Sequence, residues 1–247
     1  MIDTTKRSGG GAAALTRRGP SLRAVPFVAR GSEAVELLSE AHRQELARHA
    51  TVRVLAARTI VYRAGAPADS VFIVGEGALK SYRDLPSGRR RIALFLFARD
   101  LFGLAEAGRY INTVQTITPV RAYQLDVEAL TQLFQRDSAL ELQFLCKTFH
   151  VLREAQHHNI IVGRHDAVGR LAMLLRLLQK QNAATRGQAD VAIPMTKSDI
   201  ANYLGLSLEA VVRASRRLSR EGIVEFVGRH QARIVDRHRF EALVTNL

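Results

Sequence analysis

The sequence predicts an α+β chain: an N-terminal antiparallel β-barrel or jelly roll, a long helix, and a C-terminal winged helix-turn-helix. Three observations carry this. Between residues 52 and 96 apolar side chains alternate in short runs broken by Gly65, Pro67, Gly75, Gly77 and the turn Pro86-Ser87-Gly88. From about 127 to 163 the apolar spacing changes to that of helices. From 196 to 217 the stretch TKSDIANYLGLSLEAVVRASRR reads as two short capped helices across a glycine turn, followed by a small hairpin.

Taken in order, residues 1–31 carry Gly9, Gly10, Gly11 and Lys6, Arg7, Arg17, Arg18, Arg23 and Arg30 against the single acid Asp3, with no apolar period. This predicts a flexible basic tail, either simply solvated or adding phosphate contacts. Residues 32–136 are expected to form the barrel domain with flanking helices. A helix capped by Ser32 runs to about His49 with Val35, Leu38 and Leu46 on its buried face. The strands then present Val52, Val54, Ile60, Tyr62, Val71, Ile73, Leu79, Tyr82, Ile92, Leu94 and Leu96. Asp126 is placed to cap a short helix through Leu130 and Phe134.

Residues 137–163 are expected to be a long helix ending in a hinge, with Asp137 or Ser138 at its start. It carries two apolar sets, one through Leu140, Phe144, Val151, Ala155 and Val162, the other through Leu142, Leu145, Phe149, Leu152 and Ile160. Two apolar faces exceed what one domain needs. The expected partner is a second copy, with Leu140, Phe144, Leu145, Val151, Leu152 and Ala155 as dimerisation residues. A helix buried on both sides within one chain is the alternative.

Residues 164–247 are expected to form the helix-turn-helix domain. Val168, Leu171, Ala172, Leu174, Leu175 and Leu178 predict an apolar helix, Gln181–Asp190 a polar loop, and Val191–Pro194 a short strand. Thr196 and Asp199 match a capping box, Gly205 can take the left-handed turn, and Ser207 can cap the second helix. Val211, Ala214 and Leu218 share its buried face, which leaves Glu209, Arg213, Arg216 and Arg217 for others. Beyond Gly222 a two-stranded wing is expected over 223–226 and 232–235, then a short helix with Phe240, Leu243 and Val244.

A second helix of this kind lies in the DNA major groove. Arg213 can donate two hydrogen bonds to guanine and Glu209 can accept from cytosine. The base-reading set is therefore Leu208, Glu209, Val212 and Arg213, and the phosphate set Thr196, Lys197, Ser207, Arg216 and Arg217. Arg229, His230 and Arg233 near the wing tip are further candidates for phosphate. A formal charge of +13 over 247 residues suits a polyanionic partner. No run approaches membrane-spanning length and no signal-peptide core is present, which places the chain in the cytoplasm with no membrane partner. No nucleophile elbow, phosphate loop or HExxH helix nominates an enzyme.

At these residues the chain resembles the CRP/FNR family of transcription regulators, whose reading helix carries a glutamate and, four residues later, an arginine, here Glu209 and Arg213. Val212 stands where the FNR subgroup has serine, and Leu208 makes the chain look nearest to the FixK branch. The run GAPADSVFIVGEGALKSYRDLPSGRRRIALF resembles the family's cyclic-nucleotide-binding-like sensor barrel, and GRHDAVGRLAMLLRLL the first helix of its DNA-binding domain. The resemblance implies a homodimer on a TTGA-like promoter palindrome, an activator more than a repressor, with RNA polymerase as a further partner.

It also bears on cofactors, for which the expectation is none. Cyclic-nucleotide receptors of this fold use a phenylalanine-glycine-glutamate start and an arginine-serine pair. Here Phe102 and Gly103 are followed by Leu104, the arginine region reads Ile111-Asn112-Thr113, and Arg109 is the nearby cation. The single cysteine, Cys146, cannot supply an iron-sulfur cluster. Cys146, His150, His157 and His158 share the long helix, and the alternative function is a small-molecule sensor, for cyclic nucleotide or haem and gas, whose ligand gates DNA binding.

Overall fold

The computed structural model describes residues 38–105, 107–163, 166–186 and 190–245. The expected tail 1–31, Ser32, Val35, and Arg164 and His165 of the hinge lie outside them.

The first helix, α1 (Glu40–His49), is capped by Ser39, whose hydroxyl accepts the His42 amide. The helix expected from Ser32 to about His49 is corrected here: it begins at Glu40, after Leu38 in a bend and Ser39 in extended conformation. Eight strands follow, β1 (Thr51–Leu55), β2 (Ile60–Tyr62), β3 (Ser70–Glu76), β4 (Leu79–Asp84), β5 (Arg90–Leu96), β6 (Leu101–Phe102), β7 (Thr113–Thr116) and β8 (Val120–Asp126). They form two antiparallel four-stranded sheets, ordered β1-β8-β3-β6 and β2-β7-β4-β5, facing each other as a jelly roll. Val74, Leu79, Leu96, Val114, Val120 and Ala122 fill the space between them. Gly77 is required at its turn, since its φ is +94° and a Cβ there would lie 2.3 Å from the Pro119 carbonyl oxygen.

Val52 and Val54 do not join this core. They sit on the edge strand β1, opposite Tyr123 and Arg121 of β8, and remain exposed. Alternation identified the strand but not which face is covered.

The two sheets lead into α2 (Val127–Arg136) and α3 (Ser138–Gly163). Asp126 stands at the α2 cap position but makes no cap hydrogen bond, accepting instead from the Ser70 hydroxyl. Asp137 caps α3 through the amides of Ala139 and Leu140, which hold its carboxyl below the usual carboxylate range. Along α3 the two apolar sets part. Leu140 and Phe144 are buried with Leu46, Leu125, Leu130 and Leu133, and Val151 packs against them. Leu140 and Phe144, expected as dimer residues, are therefore corrected to contacts within the chain, because that stripe faces the barrel and α2. Ala155 is half-buried, whereas Leu145, Phe149, Leu152 and Ile160 are about half exposed.

Next comes α4 (Ala167–Arg186), which continues through residues expected to be a loop. Gln181, Ala183, Ala184 and Arg186 are good helix formers, so polarity alone did not end it. The C-terminal part adds β9 (Asp190–Ala192), α5 (Lys197–Leu204), α6 (Leu208–Arg220), β10 (Val224–Val227), β11 (Gln231–Ile234) and α7 (Arg237–Thr245). β9 pairs with β11, so the wing is a three-stranded sheet rather than the two strands expected. Leu171, Leu174, Leu175 and Leu178 of α4, Leu204 of α5, Leu218 of α6 and Phe240 of α7 form its core.

Candidate nucleic-acid interface

The start of α5 is fixed by a reciprocal cap. Thr196 Oγ1 accepts the Asp199 amide at 3.1 Å while the Asp199 carboxylate accepts the Thr196 amide at 3.3 Å. Gly205 closes the helix in the left-handed region at φ +64°, where an L side chain is strained. Two residues on, the Ser207 hydroxyl accepts the Ala210 amide and starts α6. These caps fix which face of α6 turns outward.

That face is set by burial. Val211, Ala214, Ser215 and Leu218 pack inward, and Ser215 returns its hydroxyl to the Val211 carbonyl. Glu209, Arg213, Arg216 and Arg217 are exposed, as are Thr196, Lys197, Ser207 and Leu208, while Val212 is half-buried at the flank. Arg213, Arg216 and Lys197 make no hydrogen bond or ion pair among the described residues. Glu209 lies in the first turn of α6; the backbone amide there and the Ser207 hydroxyl hold its carboxyl below the usual range, with Arg213 adding to the effect. Arg217 differs from its neighbours, because its Nε donates to Glu221 at 2.7 Å.

Around the wing the three candidates separate. Arg229 is exposed; Arg233 donates to Asp190 at 3.0 Å; the His230 ring donates to the Ile193 carbonyl at 3.1 Å. Only the first is uncommitted.

The sequence did not reveal how the domain is held. Lys80 of β4 reaches the Asp199 carboxylate at 2.7 Å, with both side chains mostly buried. Tyr203 of α5 lies between Phe95 of β5, 4.8 Å away between ring centroids, and His158 of α3, stacked at 4.1 Å. His158 donates its Nε2–H to the Tyr203 carbonyl at 2.7 Å. Asp199 was legible only as a cap, and the others carry no local motif.

Aromatic side chains occupy the barrel interior. Tyr62, Phe72, Phe102 and Tyr110 stack into one aromatic cluster, with Tyr62 and Tyr110 at 3.7 Å, and Tyr110 donates its hydroxyl to the Ser70 carbonyl. Leu104 offers no acceptor to a ribose, and Arg109 is exposed and donates to the Gly65 carbonyl at 2.7 Å. A phosphate placed among these rings would be desolvated without a cation. On α3, Cys146 is buried and burial pushes its thiol up, away from the reactive thiolate. His157 is exposed beside Glu154 and His158 is committed to Tyr203; the side chain of His150 lies outside the described residues. No group of three metal-ligating side chains occurs among the described residues, and no described helix is long and apolar enough to cross a membrane.

Comparison with known proteins fits this architecture. The cyclic nucleotide-binding domain family matches residues 52–137 and the Crp-like helix-turn-helix domain family matches residues 169–243. The nitrogen fixation regulation protein FixK of Bradyrhizobium diazoefficiens is 31% identical over 182 residues, 70% of this chain and 73% of that protein. The transcriptional activatory protein AadR of Rhodopseudomonas palustris is 30% identical over 177 residues, 71% of this chain and 74% of its own length. The structure of FixK2 from Bradyrhizobium japonicum superposes with a TM-score of 0.73 at 30% identity, covering 79% of this chain and 97% of that one.

Proposed function

Because this chain belongs to the CRP/FNR family of transcription regulators, on its FixK-like branch, we propose that it binds promoter DNA as a homodimer and activates transcription from a TTGA-like palindrome. The observation that carries the proposal is Arg213: exposed, unpaired among the described residues, and set four residues after Glu209 on the outward face of a helix whose start is fixed by Ser207. An arginine in that position is free to donate twice to one guanine. Glu209, Leu208 and Val212 share the base-reading face, and Thr196, Lys197, Ser207 and Arg216 border it as phosphate contacts. Arg217 joins them only by leaving Glu221.

The second copy is supported by Leu145, Leu152 and Ile160 of α3, large apolar side chains that are about half exposed. Twofold pairing along α3 sets two copies of α6 about 34 Å apart, one turn of DNA. The regulator works in the cytoplasm with RNA polymerase, and without cyclic nucleotide or an iron-sulfur cluster, a reading supported by the aromatic cluster in the barrel and the single cysteine. Selection from random duplexes on the purified protein tests this. The expected product is an inverted TTGA repeat, bound by a dimer in sedimentation and unaffected by cyclic AMP or cyclic GMP; a pool without an inverted repeat would overturn it.

A further inference from the structure

The outward side of α6 carries two rows, and only one of them is polar. Glu209 and Arg213 form the polar row; Leu208 and Val212, also four residues apart, lie side by side on one flank. Leu208 is 45% exposed and Val212 half-buried, while the helix buries Val211, Ala214, Ser215 and Leu218 instead. A single exposed leucine is ordinary. Two branched apolar side chains beside an unpaired arginine, at the end of the helix that enters the groove, call for an apolar partner on DNA. The major groove offers one such feature, the 5-methyl group of thymine. Neither side chain can hydrogen-bond, so each discriminates only by what it covers.

Resting on the promoter-binding proposal above, we propose that Val212, continued by Leu208, is a specificity-determining ridge that recognises thymine through its methyl group. The polar row then selects guanine and the apolar row selects thymine, within one half-site. The consequence is a tolerance as well as a preference: at the base pair under Val212, the donor and acceptor pattern goes unread and the methyl alone is felt.

Replacing thymine by deoxyuracil removes that methyl and leaves every hydrogen-bonding group in place. On a duplex carrying the inverted TTGA repeat, uracil at one thymine per half-site should weaken the wild-type protein about three- to fivefold for each methyl lost from contact. Val212→Ala should bind the thymine duplex several-fold more weakly and no longer distinguish uracil from thymine at that position. Both Val212→Ala and Leu208→Ala alter outward positions, and unchanged thermal unfolding checks that they fold. Equal affinity of the wild type for thymine and uracil at every position, with its preference over a scrambled duplex intact, overturns the ridge alone. A uracil penalty that persists unchanged in both variants also overturns it, because the methyl then acts through DNA shape. Loss of all preference over scrambled DNA in the wild type rejects the half-site proposal and the ridge with it.

Discussion

Helices α5 and α6 are consecutive and both amphipathic, yet they are used in opposite ways. Asp199, Ile200, Ala201, Tyr203 and Leu204 of α5 are all buried, and the polar ones among them have partners: Asp199 serves Thr196 and Lys80, and Tyr203 is held between Phe95 and His158. In α6 one stripe is buried and Glu209, Arg213, Arg216 and Arg217 face outward, with Arg217 tied back to Glu221. Internal partners mark the helix that is held; their absence marks the helix that is offered. A buried polar group without a partner is costly, whereas an exposed arginine keeps its water and can exchange it for a base.

The comparison is broken most severely from the α5 side. Tyr203→Ala should cost about 3–5 kcal/mol in chemical denaturation, the usual range for emptying an aromatic site, and should also loosen the helix from the barrel. Asp199→Ala comes next, at about 3 kcal/mol, since it removes the carboxylate that accepts from the Thr196 amide and hydroxyl and strands Lys80 without its counter-charge. Asp199→Asn keeps a hydrogen-bonding side chain beside Thr196 while removing the charge, so it should lose less. Equal losses for the two substitutions would mean that the charge opposite Lys80 carries the whole effect and that the hydrogen bonding beside Thr196 adds nothing.

These two helices also divide what the sequence could disclose. Thr196, Asp199, Gly205 and Ser207 act over three or four residues, so capping and turn chemistry placed both helices correctly. The buried stripe of α6 followed from its spacing. Lys80, Phe95 and His158, which meet Asp199 and Tyr203, come from three other elements, and nothing local to any of them announces the contact. The same limit appears in α3. Periodicity found both apolar stripes, but assigning Leu140 and Phe144 to the barrel side required knowing where α2 lies. On β1, alternation found Val52 and Val54 without revealing that the edge strand leaves them exposed.

From the α6 side the effect should move from stability to recognition. Arg213→Ala should leave unfolding within about 0.5 kcal/mol of the wild type. It should nonetheless lose about 1–3 kcal/mol on the specific duplex and relax preference at one base pair. Arg216→Ala, which removes a cation aimed at phosphate, should weaken specific and random DNA alike and lower the slope of affinity against salt by about one. Equal losses on both kinds of DNA for Arg213→Ala would make it a phosphate contact and leave the reading face without its arginine.

The smallest effect concerns the joint between α3 and α5. Burial pushes the His158 imidazole below its ordinary pKa, and Arg91 of β5 pushes the same way, against the hydrogen bond to the Tyr203 carbonyl that favours the charged ring. Unfolding exposes the ring to water and restores its ordinary pKa near 6.5. Above that value neither state binds the proton and His158 contributes no pH dependence. As pH falls through about 6.5 toward the lowered folded value, the unfolded chain takes up the proton first, so stability falls with pH. The slope from one histidine is at most about 1.4 kcal/mol per pH unit. His158→Phe keeps a ring against Tyr203 and removes the titration. Denaturation at pH 7.5 and 5.5 should therefore show a smaller difference for this variant than for the wild type. An identical difference would show that His158 is protonated as readily in the folded chain as in the unfolded one, and that its contact with α5 is not sensitive to charge.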